Sequence, residues 1–508
     1  MSASGENTRR PPSFWSERAA ALLLLVGGVA AGLLVAALGE GEIRWLLALV
    51  LAIAFLCICL VLPFRQRFLW GLFIFSFQLL DPAVRLFYGR AGTDGLMITA
   101  TFMVGAVLVS VMLLSGNFGG PDRIRWGGAL ALPVLSLLVI AIFSTLQSEE
   151  RFAGLISIAT ALEQYFIFLI GVNCVRTERH LSRTLTALFL VLGTQCLVYY
   201  YECVVHVSYI SITGETFGRG EGILERPGGT VGHNPFSFTN FILPLIFIVI
   251  ADRMPVPKQR GPDRRFAGIL VPMAMVALAL TLTRSAWISF ILGALWLAFW
   301  GYRRRVLSIR KLAYMGGLAA VVALAAAPLI SARLQQSPLQ SSYDERVALM
   351  KMALRVIQAN PVFGVGPGAY LMSYRQYLTP ELAEKWQSIV HNAYLLRTAE
   401  TGIPGGIMFI VVMLVVLRQC IRLSRSQTPA IRTLAFGTGA NIVSMWQLMY
   451  WDPWTHVPAQ QLFWFLAGLV IAASRIERTT TIIKKVSQQN NSIGNHAKPT
   501  SFRTRKDA

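Results

Sequence analysis

Apolar runs of about 20 residues recur along this 508-residue chain, each long enough for a helix to cross the hydrocarbon of a bilayer. In lipid every backbone polar group must be paired within the protein, so each such run is read as a membrane-spanning helix. Composition agrees: charged residues make up 14%, where a water-facing globule carries about a quarter. Windows of about 19 residues predict spans at 19–38, 45–63, 69–80, 96–115, 127–146, 153–175, 182–205, 235–252, 266–282, 286–300, 312–330, 394–417, 433–450 and 457–473. The expected fold is all-α, a polytopic membrane protein of about fourteen transmembrane helices with a large outer loop that contains short helices. Arg284, in TLTRSAW, splits the apolar stretch 268–300 into two helices, because a guanidinium is costly at the bilayer centre. It is therefore placed at a membrane surface.

Of the 46 Lys and Arg residues, 32 lie in the N-terminus, in alternate loops and in the C-terminal tail. Short cytoplasmic loops retain such residues, so both termini are expected to be cytoplasmic. The net charge of +21 then reports topology and affinity for anionic lipid heads, not a nucleic-acid partner. The first apolar run lacks a small-residue cleavage site and reads as a retained span. The chain divides into a cytoplasmic segment 1–18, an N-terminal bundle 19–205, an outer loop 206–234, central helices 235–330, a large outer loop 331–393, C-terminal helices 394–473 and a tail 474–508. The tail is basic, polar and expected to be disordered. Cys57, Cys59, Cys174, Cys196, Cys203 and Cys420 show neither CxxC nor Cys/His spacing, so no disulfide framework, metal or cofactor is expected.

A long loop between spans is where such a scaffold keeps its function. In the loop 331–393, YDERVALMKMALRVIQ predicts a helix over 343–358 with an apolar stripe of Tyr343, Val347, Met350, Leu354 and Ile357, ended by Asn360-Pro361. Arg346 falls between Ala353 and Ile357, with Lys351 and Arg355 opposite. It is either an arginine snorkelling at the membrane interface or a guanidinium aimed at a buried anion. The following NPVFGVGPGAY lacks the βαβ context of a dinucleotide site. Gly364, Gly366 and Gly368 read instead as a tight turn that needs positive φ. His391 and Asn392 then stand at the mouth of the next span, with Glu400 about two turns deeper. In the smaller loop, Arg219, Arg226 and His233-Asn234 precede another span. Four arginines that no apolar core requires, Arg219, Arg226, Arg284 and Arg346, thus share one side of the membrane with His391, an arrangement suited to a pyrophosphate. Mid-span Glu163 must face the bundle.

The joint pattern of TRSAW, the arginine-bearing helix, NPVFGVGPGAY and HNAYLLRTAETGIPGG resembles the core of the O-antigen ligase and Wzy-type polysaccharide polymerase family, over about residues 220–415. The resemblance implies metal-independent glycan transfer on the periplasmic face of the bacterial inner membrane. Its donor would be an undecaprenyl-diphosphate-linked glycan and its acceptor a glycan or lipid A-core hydroxyl, with membrane lipids and other polysaccharide export proteins as partners. Matched motif by motif, Arg226, Arg284 and Arg346 correspond to arginines that hold the diphosphate, and His391 to the histidine that acts on the acceptor hydroxyl. Asn392, Arg219, Gly366 and Glu400 complete the expected substrate site. An acidic pair, Asp344-Glu345, and fourteen spans in place of twelve depart from the ligase pattern and leave polymerase and ligase both open. The alternatives from other classes are a flippase or exporter of lipid-linked oligosaccharide, and a cell-wall glycan polymerase in which Asp344 or Glu345 would be the base.

Overall fold

Segments that are apolar on every face form helices whose backbone groups pair internally and whose sides meet either lipid or other helices. The structure is a computed structural model and describes residues 65–79, 84–85, 97–114, 124–207, 209–210, 216–217, 227–232, 234–254, 264–307, 339–378, 388–496 and four isolated positions between 310 and 331. Residues 1–73 with 103–120, and residues 74–102 with 121–508, form separate units. The second unit holds α1 (Ala131–Gln147), α2 (Arg151–Cys174), α3 (Glu178–Val205), α4 (Pro235–Arg253), α5 (Arg264–Leu280), α6 (Arg284–Arg303), α7 (Leu339–Ala359), α8 (Ala393–Leu423), α9 (Pro429–Trp451) and α10 (Val457–His496). Strand pairing among the described residues is confined to two-residue ladders, Val84–Arg85 with Met97–Ile98 and Tyr209–Ile210 with Thr216–Phe217.

Seven helices of the described residues are long and apolar enough to cross a membrane: α1 with the 3-10 turn before it, α2, α3, α4, α6, α8 and the first part of α10. The protein is thus a multi-pass helical membrane protein. The spans expected at 19–38, 45–63 and, but for two isolated positions, 312–330 fall outside the described residues. Helices α4 and α10, whose apolar windows are 89% buried, form the centre, whereas α1 at 22% and α6 at 28% lie at the periphery. Small residues let the central helices approach closely. Gly171 of α2 meets Gly468 of α10, where a Cβ on Gly468 would come within 2.4 Å of the Phe168 carbonyl. Gly437 of α9 lies equally tight against the backbone of Ile248 in α4.

The stretch 268–300 does break ahead of Arg284: α5 ends at Leu280, Leu282 takes φ +49, and α6 starts at Arg284. Helix α7 also ends where expected, one residue before Asn360-Pro361. Its buried face, however, overlaps the stripe read from the sequence only at Ile357 and, at its edge, Met350. Leu349, Met352, Ala353, Val356 and Ile357 are buried against Val365, Tyr370, Val390, Leu396 and Ala399, while Tyr343 and Leu354 are exposed. The two stripes differ by about 100° around the axis, because α7 turns its i, i+3, i+4, i+7 set toward α8. Arg346 keeps its place at the edge of the buried face, half-buried, with Lys351 and Arg355 exposed. A second correction concerns the tail: α10 continues to His496, since extending a helix already nucleated by its span costs little. The short links between α5 and α6, α8 and α9, and α9 and α10 make these neighbours antiparallel. The N-termini of α4, α6, α8 and α10 and the C-terminus of α9 therefore gather at one end of the unit, where α7 packs on α8.

Candidate functional site

The glycine turn after α7 is built by its own backbone. Gly364, Gly366 and Gly368 have φ of +69°, +107° and +71°, as the sequence predicts. The Val365 and Gly366 N–H groups donate to the Ala399 and Glu400 carbonyls, each at 2.9 Å, and the Ile403 N–H donates to the Pro361 carbonyl at 2.8 Å. These bonds are open to the turn because α8 is kinked at Gly402, φ +72°. The Glu400 carboxylate, 4% exposed, accepts from the Gly368 N–H at 3.0 Å and pairs with Arg397 at 3.0 Å. Ser144 and Ser148, from the end of α1 and just beyond it, donate to the Glu400 and Val365 carbonyls. Gly366 and Glu400 thus spend their polar groups on shaping the turn, which seats α7 and the segment before α8.

That segment carries His391 and Asn392. Asn392 caps α8, its side-chain oxygen accepting from the Leu395 N–H at 3.0 Å, and its amide donates to the Tyr450 carbonyl at 3.3 Å. His391 is half-buried beside Arg346 of α7. Burial first, and then the Arg346 cation, hold the His391 pKa below its usual value, opposed by the carboxylates of Asp452 and Glu345. Arg346 stacks over Trp451 at 5.6 Å from the ring centre. Burial lowers its pKa, and Arg284, the first residue of α6, lies near enough to repel it, whereas Glu345 and Asp452 favour its charge. The structure therefore brings Arg284, Arg346 and His391 into one electrostatic neighbourhood. Arg219, Arg226 and His233 lie outside the described residues. Of the acidic pair, Asp344 is exposed and Glu345 half-buried.

The sequence reading passed over the turn between α9 and α10, Trp451–His456, which closes the site. Asp452, 4% exposed, lies among His391, Arg346 and His456. Two tryptophans, an aspartate and a histidine within WDPWTH at the same face as His391 were the signal available. Glu163 is buried and accepts from Thr99 at 2.5 Å and Gln461 at 2.8 Å, which answers its cost in lipid. A cavity of about 390 Å³, mostly apolar, lies between α1, α2 and the glycine turn, with Gln164, Arg397 and Trp454 in its wall.

No curated protein matches the chain. Residues 268–410 match the family profile described as O-antigen ligase, a stretch that contains Arg284, Arg346, the glycine turn, His391, Asn392 and Glu400. A glycan-transferring membrane enzyme of the ligase or polymerase type accounts for that match, which does not support a flippase. Over residues 268–410, the chain is similar to the O-antigen ligase family.

Proposed function

We propose that the protein transfers a glycan from an undecaprenyl-diphosphate carrier to a sugar hydroxyl at the periplasmic face of the bacterial inner membrane, both termini being cytoplasmic. The observation that supports this reading is the placement of half-buried Arg346, stacked over Trp451 at 5.6 Å, at the same end of the unit as Arg284 at the start of α6 and His391 just ahead of α8. When the hydroxyl attacks the anomeric carbon, the leaving diphosphate gains negative charge, and prepositioned guanidinium groups stabilise that state more than the ground state. Arg284 and Arg346, joined by Arg219 and Arg226 from the loop 206–234, take the part that a divalent cation plays in nucleotide-sugar enzymes. His391, kept neutral by burial and by Arg346, is the general base for the acceptor, worth on the order of 10²–10⁴ in rate. Asn392, Gly366 and Glu400 serve binding by holding His391 and the turn in register. The apolar cavity beside the turn offers room for part of the isoprenoid tail.

Gene deletion followed by gel analysis of surface glycan tests the reading. Glycan limited to one attached repeat assigns polymerase, long chains left on carrier lipid assign ligase, and unchanged glycan overturns the proposal. His391→Ala and Arg284→Ala are expected to abolish transfer at normal membrane levels. Full activity in either variant removes that residue from the mechanism.

A further inference from the structure

The cavity between α1, α2 and the glycine turn has the shape of a slot. Its wall runs along α2 from Ala153 to Tyr165 and along α1 from Val134 to Ala141, so at 1.5 Å per residue it extends for about 18 Å beside α2. A volume of about 390 Å³ drawn out over that length is narrow, and fits an extended chain better than a compact solute. Pro367, Gly368 and Ile389 line the end at the glycine turn, and Ile389 stands two residues ahead of His391. Leu135 and Leu162 also line the slot, yet they are 45% and 47% exposed, so it opens sideways between α1 and α2. Helix α1 is peripheral, its apolar window 22% buried, which puts that opening on a side that meets lipid.

Most polar side chains along the slot are spent inside the protein. Gln164 donates to Gln460 at 2.5 Å and accepts from the Trp464 indole at 3.1 Å, Gln460 donates to the Trp454 carbonyl at 2.5 Å, and the Tyr165 hydroxyl donates to the Trp126 carbonyl at 2.9 Å. A sugar would need such groups unpaired, and what they leave facing the slot is apolar surface. Arg397 is the exception. One of its five N–H groups donates to Glu400 at 3.0 Å, the other Glu400 oxygen is taken by the Gly368 N–H, and no second acceptor meets the guanidinium among the described residues. Its side chain is 30% exposed and stands in the slot's wall beside the turn. A cation with donors to spare at the head of an apolar slot suits an anion that carries a chain. We propose that the slot seats the isoprenoid chain of the diphosphate carrier and that Arg397 takes one of its phosphate oxygens.

One slot admits one chain. An isoprenoid phosphate has a single chain, which follows its head along α2, whereas a glycerophospholipid would leave its second chain outside. The room exists because lining residues are small where the helices face the slot: Ala141 on α1, and Ala153, Ser157 and Ala161 on α2. Arg397 is five residues past the Asn392 cap and so about 7.5 Å along α8. It stops the head just inside the end of the unit where Arg284, Arg346 and His391 gather. Burial of the chain supplies affinity in proportion to its apolar area, and the guanidinium fixes where along the helices the phosphate rests. This site rests on the carrier-lipid donor proposed above and deepens it; it does not require His391 to be the base.

Photo-crosslinking tests it. The full chain in phosphatidylcholine nanodiscs is irradiated with a geranylgeranyl phosphate that bears a benzophenone at the far end of its chain, and the adducts are mapped by mass spectrometry. Adducts are expected within 134–141 or 153–165, suppressed by excess undecaprenyl phosphate but not by undecaprenol or phosphatidylglycerol. Arg397→Gln should cut this labelling at least about tenfold, and Arg397→Lys, which keeps the charge, should retain more of it. Ala161→Trp fills the slot from an exposed wall position and should cut labelling as strongly. Adducts confined to other segments, unchanged labelling in Ala161→Trp, or equal competition by phosphatidylglycerol overturns the proposal. Should Arg397→Gln fail to insert, the undecaprenol arm decides the part of the guanidinium, since equal competition by the alcohol overturns it. The reading beneath is tested apart from the site. Slot labelling beside unchanged surface glycan in the deletion strain removes glycan transfer and keeps the site, whereas lost long glycan with no adduct in the slot removes the site alone.

Discussion

Arg346 illustrates how one side chain's setting decides its chemistry. A guanidinium at the edge of an apolar helix face is half removed from water, and it recovers part of that cost by stacking on Trp451 and facing the carboxylates of Glu345 and Asp452. Its charge in turn disfavours protonation of His391. The sign can be worked through for both neighbours. Arg346→Gln removes a cation, so the His391 pKa should rise toward its usual value. Asp452→Asn removes a carboxylate that favours the imidazolium, so the pKa should fall further. The pH dependence of His391 modification by diethyl pyrocarbonate, followed by mass spectrometry, should shift to higher pH in the first variant and to lower pH in the second. Shifts in the same direction would contradict the arrangement.

At the scale of elements, the glycine turn and the kink of α8 act as one joint. A Cβ on Gly364 would lie 2.4 Å from the Glu400 carbonyl carbon, and one on Gly402 would lie 2.1 Å from the Val362 oxygen, so neither position admits a side chain without moving α7 off α8. Gly364→Ala should therefore reduce transfer at least tenfold while the protein still inserts, because His391 and Arg346 sit on the two elements the joint aligns. Glu400→Gln breaks a buried pair and should destabilise the fold by on the order of 3 kcal/mol, toward the low end of such losses because Arg397 is 30% exposed. Thermal unfolding in detergent measures this. Loss of activity in Glu400→Gln without loss of stability would instead place Glu400 in direct contact with substrate. The turn itself was legible in GVGPG, since only glycine accepts such φ values freely. Its partner, the Glu400 segment, was not, because hydrogen bonds across 30 residues leave no local pattern.

For the whole molecule, the sidedness inferred from Lys and Arg placement can be checked directly. Lys351→Cys, on the exposed face of α7, should react with a membrane-impermeant maleimide in cells whose outer membrane has been permeabilised. Arg305→Cys, just beyond α6, should react only after lysis. Of the native cysteines among the described residues, Cys174, Cys196 and Cys420 are buried and Cys203 is half-buried, which keeps the background low. The reverse labelling pattern would move the site to the cytoplasm and end the proposed reaction.

Hydrophobic length and the break ahead of Arg284 were already determined by the order of the residues, because lipid compels each apolar run to satisfy its own backbone. So were the end of α7 at Asn360-Pro361 and the glycine turn, both of which follow from local backbone chemistry. Tertiary structure alone decided which stripe of α7 is buried, since Val347 and Met350 compete with Leu349 and Met352 until α8 supplies a partner surface. It alone brought Arg284, Arg346 and His391 together with Asp452 and His456, groups up to 172 positions apart in the chain. Electrostatic coupling depends on distance through space, and helix packing sets that distance.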